Sequence, residues 1–238
     1  MKKKILVISL AVALIAIAVG GTLAWFMDSD EATNVFTIGS VEIVQHEDFT
    51  QESQLLPIVP DANATATPTD DENFVDKVVT VENTGKNKAY VQTFVAVPKA
   101  LDDAGVLHVY NNDATTYGWT KNATLVGTVT EDVLDATNGD ANMVYNIYKY
   151  VYNSELAAGA TTDAVISGVY VDKEADLDVE RDTQGNVTAA YFVMGTNKIT
   201  GFDASNKLNV YVATQAIQAD GFASKEAALA NFAALPWA

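Results

Sequence analysis

The sequence predicts an all-β fold: a β-sandwich or jelly roll, with a short C-terminal helix and a signal-peptide helix at the N-terminus. Three observations predict it. Short runs rich in Val, Ile, Thr, Tyr and Phe recur at hairpin spacing along most of the 238 residues. Clusters of Asn, Asp, Gly and Pro separate those runs, and such residues favour turns because they tolerate or preset unusual backbone angles. No repeat of solenoid length is visible.

The first element is not part of the fold. Lys2, Lys3 and Lys4 precede an uncharged stretch from Ile5 to Val19, and Thr22-Leu-Ala follows. The apolar run is shorter than the roughly 20 residues needed to span a bilayer. Small residues at −3 and −1, Thr22 and Ala24, suit a signal peptidase. Residues 1–24 therefore read as an export signal cut between Ala24 and Trp25, leaving a secreted protein free of the membrane. Residues 25–34 form a polar leader, and 35–238 a single β-sandwich domain.

Within that domain, Val35 to Val44 has strand character, with Phe36 and Ile38 on one side and Val41 and Ile43 on the other. Residues 45–76 hold Pro57, Pro60, Pro68 and the acidic Asp70-Asp-Glu, which predicts a loop or insertion pinned to the body by Leu55-Leu-Pro-Ile. Val78 to Glu82 and Ala89 to Val97 are two β-rich runs around Asn83-Thr-Gly-Lys-Asn-Lys, the signature of a hairpin with a long loop. Pro98 stops the second run, and Lys99 to Asp103 has room for one helical turn before Gly105. Leu107–Tyr110, Leu125–Val129, Met143–Tyr152 and Val165–Val171 continue the strand pattern. Ala175 to Asp182 alternates acids with Leu177 and Val179, and Thr183-Gln-Gly-Asn turns it into Val187–Met194, a second hairpin. Leu208 to Gln218 is the closing strand. Ser224 then caps a helix reaching toward Leu235, with Glu226 at its positive end and Leu229 and Phe232 facing inward.

Charge and composition exclude several functions. The chain carries 14 Lys and Arg against 31 Asp and Glu, a formal charge of −17. Removing the signal takes three lysines and no acid, leaving 11 against 31, or −20. Such a surface repels phosphate backbones and anionic lipid, so neither nucleic acid nor membrane is an expected partner. It also opposes unscreened self-association. With no cysteine there is no disulfide, thiolate metal site, thiol nucleophile or lipidated N-terminal Cys.

No catalytic residues and no cofactor are expected. His46 and His108 are the only histidines, and His46-Glu-Asp lacks the second His one turn on that a zinc peptidase needs. No Gly-x-Ser-x-Gly elbow is present. Asp135-Ala-Thr-Asn-Gly-Asp-Ala-Asn and Asp172-Lys-Glu-Ala-Asp-Leu-Asp offer oxygen ligands for an adventitious or stabilising calcium ion. Neither follows EF-hand order, and Asx turns are the plainer reading. Trp119 beside Tyr117, and Tyr148, Tyr150 and Tyr152 at period two, could stack on sugar rings. A monomeric surface or glycan-binding module is thus the alternative to a structural protein.

Two stretches near the start carry a resemblance. Gly20-Gly-Thr-Leu-Ala-Trp-Phe-Met-Asp, then Phe36-Thr-Ile-Gly-Ser-Val-Glu-Ile, resemble the opening of the TasA/camelysin family. Val78-Val-Thr-Val-Glu-Asn-Thr-Gly, Leu156-Ala-Ala-Gly-Ala-Thr-Thr and Val212-Ala-Thr-Gln-Ala-Ile-Gln-Ala-Asp-Gly-Phe are similar to later family segments. The resemblance implies export through a SipW-type signal peptidase and assembly into extracellular biofilm-matrix fibres, with room for an accessory subunit. It implies a donor strand at the N-terminus, drawing on Trp25, Phe26, Met27 and Ala32. Relatives have been labelled metallopeptidases, and this sequence offers no ligand set for that activity.

Overall fold

The computed structural model describes residues 41–49, 74–111, 118–122, 125–204, 208–232 and 234–237 in full, and the backbone of 27–30, 35–38 and 57–58. The strands are β1 Met27–Asp30, β2 Val35–Ile38, β3 Ile43–Phe49, β4 Pro57–Ile58, β5 Val75–Asn83, β6 Ala89–Pro98, β7 Leu107–Tyr110, β8 Trp119–Lys121 and β9 Gly127–Thr130. They continue as β10 Val144–Tyr152, β11 Ile166–Asp172, β12 Ala175–Arg181, β13 Val187–Met194, β14 Asn197–Lys198 and β15 Tyr211–Gln218. Three short helices join them: α1 Lys99–Asp103, α2 Glu131–Leu134 and α3 Lys225–Leu229. The fold is an all-β sandwich.

One sheet runs β1-β2-β15-β6-β10-β8, with β9 also on β10. The second runs β3-β5-β11-β4, with β7 also on β11. A third, β12-β13-β14, forms a wing. Strand β5 alternates as a half-buried strand should: Val75, Lys77, Val79, Val81 and Asn83 point in, and Asp76, Thr80 and Glu82 are less buried. Strand β6 alternates in sequence, but all of its residues except Tyr90 are buried. It lies between β15 and β10, and its outer face is covered by α3 and the C-terminal chain. Gln215 Nε2 donates to Ala234 O at 3.3 Å, and Trp237 is buried there. Val79, Val81, Val91, Val95, Ile147 and Ile166 have no exposed surface. Each such side chain contributes about 1.5–3 kcal/mol relative to exposure.

Four sequence expectations are corrected. Val35 to Val44 is not one strand: β2 lies in the first sheet and β3 in the second, so the chain changes sheets between them. The loop expected from residue 45 starts later, because β3 continues through His46, Glu47 and Asp48 to Phe49. Of the expected anchor, the backbone of Pro57 and Ile58 pairs in parallel with Val171 and Asp172, and Leu55 and Leu56 lie outside the described residues. The runs around Asn83–Lys88 are not a hairpin, because β5 and β6 belong to opposite sheets and the turn is an arch over the sandwich edge. Asn83 makes this possible. It is fully buried, and its Nδ2 donates to Asn87 O at 2.8 Å and Leu156 O at 3.0 Å while Oδ1 accepts from Gly85 N at 3.1 Å. The segment after β10 fills the gap between the two strands, bridging Glu82 to Thr161 and Ala89 to Leu156. Finally, the C-terminal helix ends at Leu229. Ser224 caps it by accepting from Ala227 N, and Ala228 is its buried residue.

The Ala175–Met194 hairpin forms as the alternation predicts, with Leu177 opposite Phe192 and Asp178 opposite Tyr191. Its apolar side is less covered than the alternation suggests. Ala175 is buried, but Leu177 is 61% exposed.

Candidate functional site

The processing residues Thr22, Ala24 and Trp25, and the donor residues Phe26 and Ala32, lie outside the described residues. Met27 opens β1. That strand pairs antiparallel with β2, from Met27 opposite Ile38 to Asp30 opposite Val35. Among the described residues the β1–β2 ribbon is joined to the body through β15 at two register positions, Thr37 opposite Ala216 and Ile38 opposite Ile217, in parallel. On its other side β15 pairs with β6 over all eight residues, from Tyr211 to Gln218. The two sides of β15 therefore differ greatly in how firmly they are held. Near the weakly laddered side, Gln45 on β3 donates to Val212 O at 3.2 Å and accepts from Thr214 Oγ1 at 2.7 Å, a side-chain stitch between the sheets.

A second surface is the wing. Strand β12 pairs with β13 alone, so its other edge is free among the described residues. That edge carries Asp176, Leu177, Asp178 and Glu180, all exposed. A cleft of about 420 Å³ separates the wing from the turn that opens β10, with Asp140 and Met143 on one wall and Tyr191 and Lys198 on the other. Lys198 pairs with Glu180 and lies over the Tyr191 ring at 3.9 Å from its centroid.

A third surface lies at the far end of β10. There a cleft of about 430 Å³ opens between β8, β10 and α3. Lys149, Val151, Lys225 and Leu229 line it, together with Asn122 and Glu226. Lys225 Nζ is tied to Tyr152 O at 3.3 Å and Asn153 O at 3.2 Å. Glu226 is turned to its own backbone N–H and to Ser224, which hold its carboxyl below the usual range. Lys149 has no carboxylate partner among the described residues.

Other polar clusters are structural. Glu131 is 7% exposed. Its Oε1 accepts from Tyr145 Oη at 2.8 Å, Asn209 Nδ2 at 3.0 Å and Tyr211 Oη at 3.0 Å, and its Oε2 from Asp140 N at 3.1 Å. Burial pushes its pKa up, but Asn209, the Asp140 amide and the two tyrosines outweigh burial and hold it below the usual value. An acceptor already filled by four protein donors serves as a pin between α2, β10 and β15. Sequence reading passed over it, because its partners are far apart in the chain.

The remaining sequence candidates fall as follows. His46 and His108 sit on strands, His46 facing Glu82 at 2.9 Å and His108 facing Asp172 at 3.1 Å. Among the described residues no three His, Asp or Glu side chains converge to hold a metal. Asp135 forms the Asx turn that its sequence suggested, accepting from Thr137 N and Asn138 N at 3.0 Å each. Trp119 is buried, with Nε1 donating to Asp163 O at 2.8 Å and its ring 5.1 Å from that of Tyr152. Tyr150 is buried as well, and Lys121 covers the ring of Tyr148 at 3.8 Å. These rings are therefore occupied by the protein itself, and Tyr117 lies outside the described residues. No helix among the described residues is long and apolar enough to cross a membrane.

No protein-family model matches this chain, and no curated protein matches it.

Proposed function

We propose that this protein is a secreted structural subunit, similar to the TasA/camelysin family, that assembles into extracellular matrix fibres by exchange of its N-terminal strand. A SipW-type peptidase releases it after Ala24. The observation that supports this reading is the unequal holding of β15. Its β6 side has an eight-residue antiparallel ladder, and its outer side meets the chain's own ribbon at two positions among the described residues. An open sheet edge presents backbone donors and acceptors that an added strand satisfies. A ribbon held by so short a ladder can give way to the equivalent strand of a neighbour, which satisfies the same groups in trans. Residues 25–34 are then the leading part of the exchanged ribbon, which β2 follows, with Trp25, Phe26 and Met27 as its apolar anchors and the surface acids keeping free subunits apart.

Deletion of residues 25–34 tests this. The truncated protein, starting at Val35, is expected to keep the circular dichroism of the mature form. It should stay monomeric where the form starting at Trp25 makes filaments by electron microscopy. Filaments from both forms would place the joint elsewhere.

A further inference from the structure

We infer that a second joint between copies of this chain forms where the free edge of the wing strand β12 enters the lysine-lined cleft at the far end of β10. This rests on the reading of the protein as a self-assembling subunit and adds a contact that strand exchange does not require.

Three observations lead to it. First, the β12 edge presents an exposed leucine, Leu177, on one face and the carboxylates of Asp176, Asp178 and Glu180 on the other, with Arg181 as its one cation. Two copies of such an edge repel each other, so its partner must be basic and partly apolar. Second, the cleft has that chemistry. Lys149, Lys225, Val151 and Leu229 line it, and against the two lysines its wall holds one carboxylate, Glu226, so its lining is net positive. Lys77, Lys88, Lys99 and Lys198 pair with carboxylates within the chain, whereas Lys149, like Lys86 and Lys173, has no carboxylate partner among the described residues, and of these only Lys149 lines this cleft. Third, the two surfaces sit at opposite ends of one strand. The wing packs beside Met143, just before β10, and the cleft is built around residues 149–153. At about 3.3 Å per residue, that separation is about 25 Å. Two different surfaces at opposite ends cannot close on each other within one copy. Joined between copies, they make a head-to-tail contact that propagates as an open chain.

The test uses two variants of the whole exported protein, Lys149→Glu and Asp176→Lys/Asp178→Lys. Each is first checked for an unchanged near-ultraviolet circular dichroism spectrum. If Lys149→Glu disturbs the strand, Lys225→Glu replaces it as the reversed cleft. Sedimentation velocity then follows self-association over a concentration series. Each variant alone is expected to associate about tenfold or more weakly than the unmodified protein, because reversal sets like charges against each other. Mixed one to one, the charge-reversed pair is expected to recover association. The lysine wing then meets the glutamate cleft, and the aspartate wing meets the unchanged lysine cleft. Variants that associate as the unmodified protein does would overturn this joint and leave strand exchange standing. Weakened variants whose mixture stays weak would also overturn it, since the loss then comes from something other than these two surfaces meeting. An unmodified protein that stays monomeric throughout would overturn the joint and the fibre reading together.

Discussion

Glu131 shows how one side chain ties distant parts of this chain together. Its carboxylate gathers donors from Asp140, Tyr145, Asn209 and Tyr211, and so fastens α2 to the strands on which the core is built. Because its pKa is held below that of an unfolded glutamate, it contributes stability above the unfolded value. That contribution is lost as pH falls through the lowered folded value. Urea midpoints are therefore expected to fall on acidification from about pH 5, the upper edge of the range where an unfolded glutamate of pKa about 4.3 begins to bind protons. In Glu131→Gln this part of the acid dependence should flatten. Glu131→Ala leaves buried donors without an acceptor and is expected to cost about 2–4 kcal/mol near neutral pH. Equal acid slopes for Glu131→Gln and the unmodified protein would show that other carboxylates govern the response.

At the scale of elements, backbone position limits what each residue can be. Gly168 lies in β11 where the pairing with β5 slips by one residue. A Cβ there would sit 2.3 Å from Phe74 Cζ and 2.5 Å from Val75 O. Gly168→Ala must therefore displace an aromatic ring or the neighbouring strand, at a cost of about 1–3 kcal/mol from overpacking. Thermal unfolding measures this, and an unchanged midpoint would mean that Phe74 swings aside freely. Ring contacts around Phe74 make that costly, since it packs edge-on to Tyr110 at 5.8 Å and stacks on Tyr170 at 6.5 Å. The arch at Asn83 follows the same logic. Its turn residues are those of a hairpin, but buried hydrogen bonds to Asn87 and Leu156 direct the chain across to the other sheet.

At the scale of the whole molecule, charge is what the proposed assembly has to overcome. The chain's formal charge of −17, or −20 for the proposed form that starts at Trp25, repels other copies over a screening length of about 8 Å at physiological salt and about 30 Å at 0.01 M. Light scattering should therefore show assembly quickening as salt rises from low values, and again near the sequence pI of 4.2, where carboxylates protonate. Contact pairs such as the inferred wing and cleft charges are screened later than this long-range repulsion, because they lie well within one screening length. Assembly indifferent to salt and pH would show that charge does not restrain the subunits.

The sequence by itself determined the fold class, most strand positions, the wing hairpin and the acidic surface. These follow from local periodicity, turn chemistry and charge count, which need no knowledge of neighbours. The Ser224 cap and the pin at Pro57–Ile58 were legible for the same reason. Tertiary structure alone decided which sheet each strand joins, so that the β5–β6 turn became an arch and Val35–Val44 divided between two sheets. It alone showed that Trp119 and Tyr150 are buried, where the sequence kept stacking on sugars as an alternative to a place in the core. It also gathered the donors of Glu131 and set the wing and the lysine cleft at opposite ends of β10. The physical reason is that alternation gives a strand two faces without saying what covers either. The covering partner comes from a part of the chain tens of residues away, and only packing brings the two together.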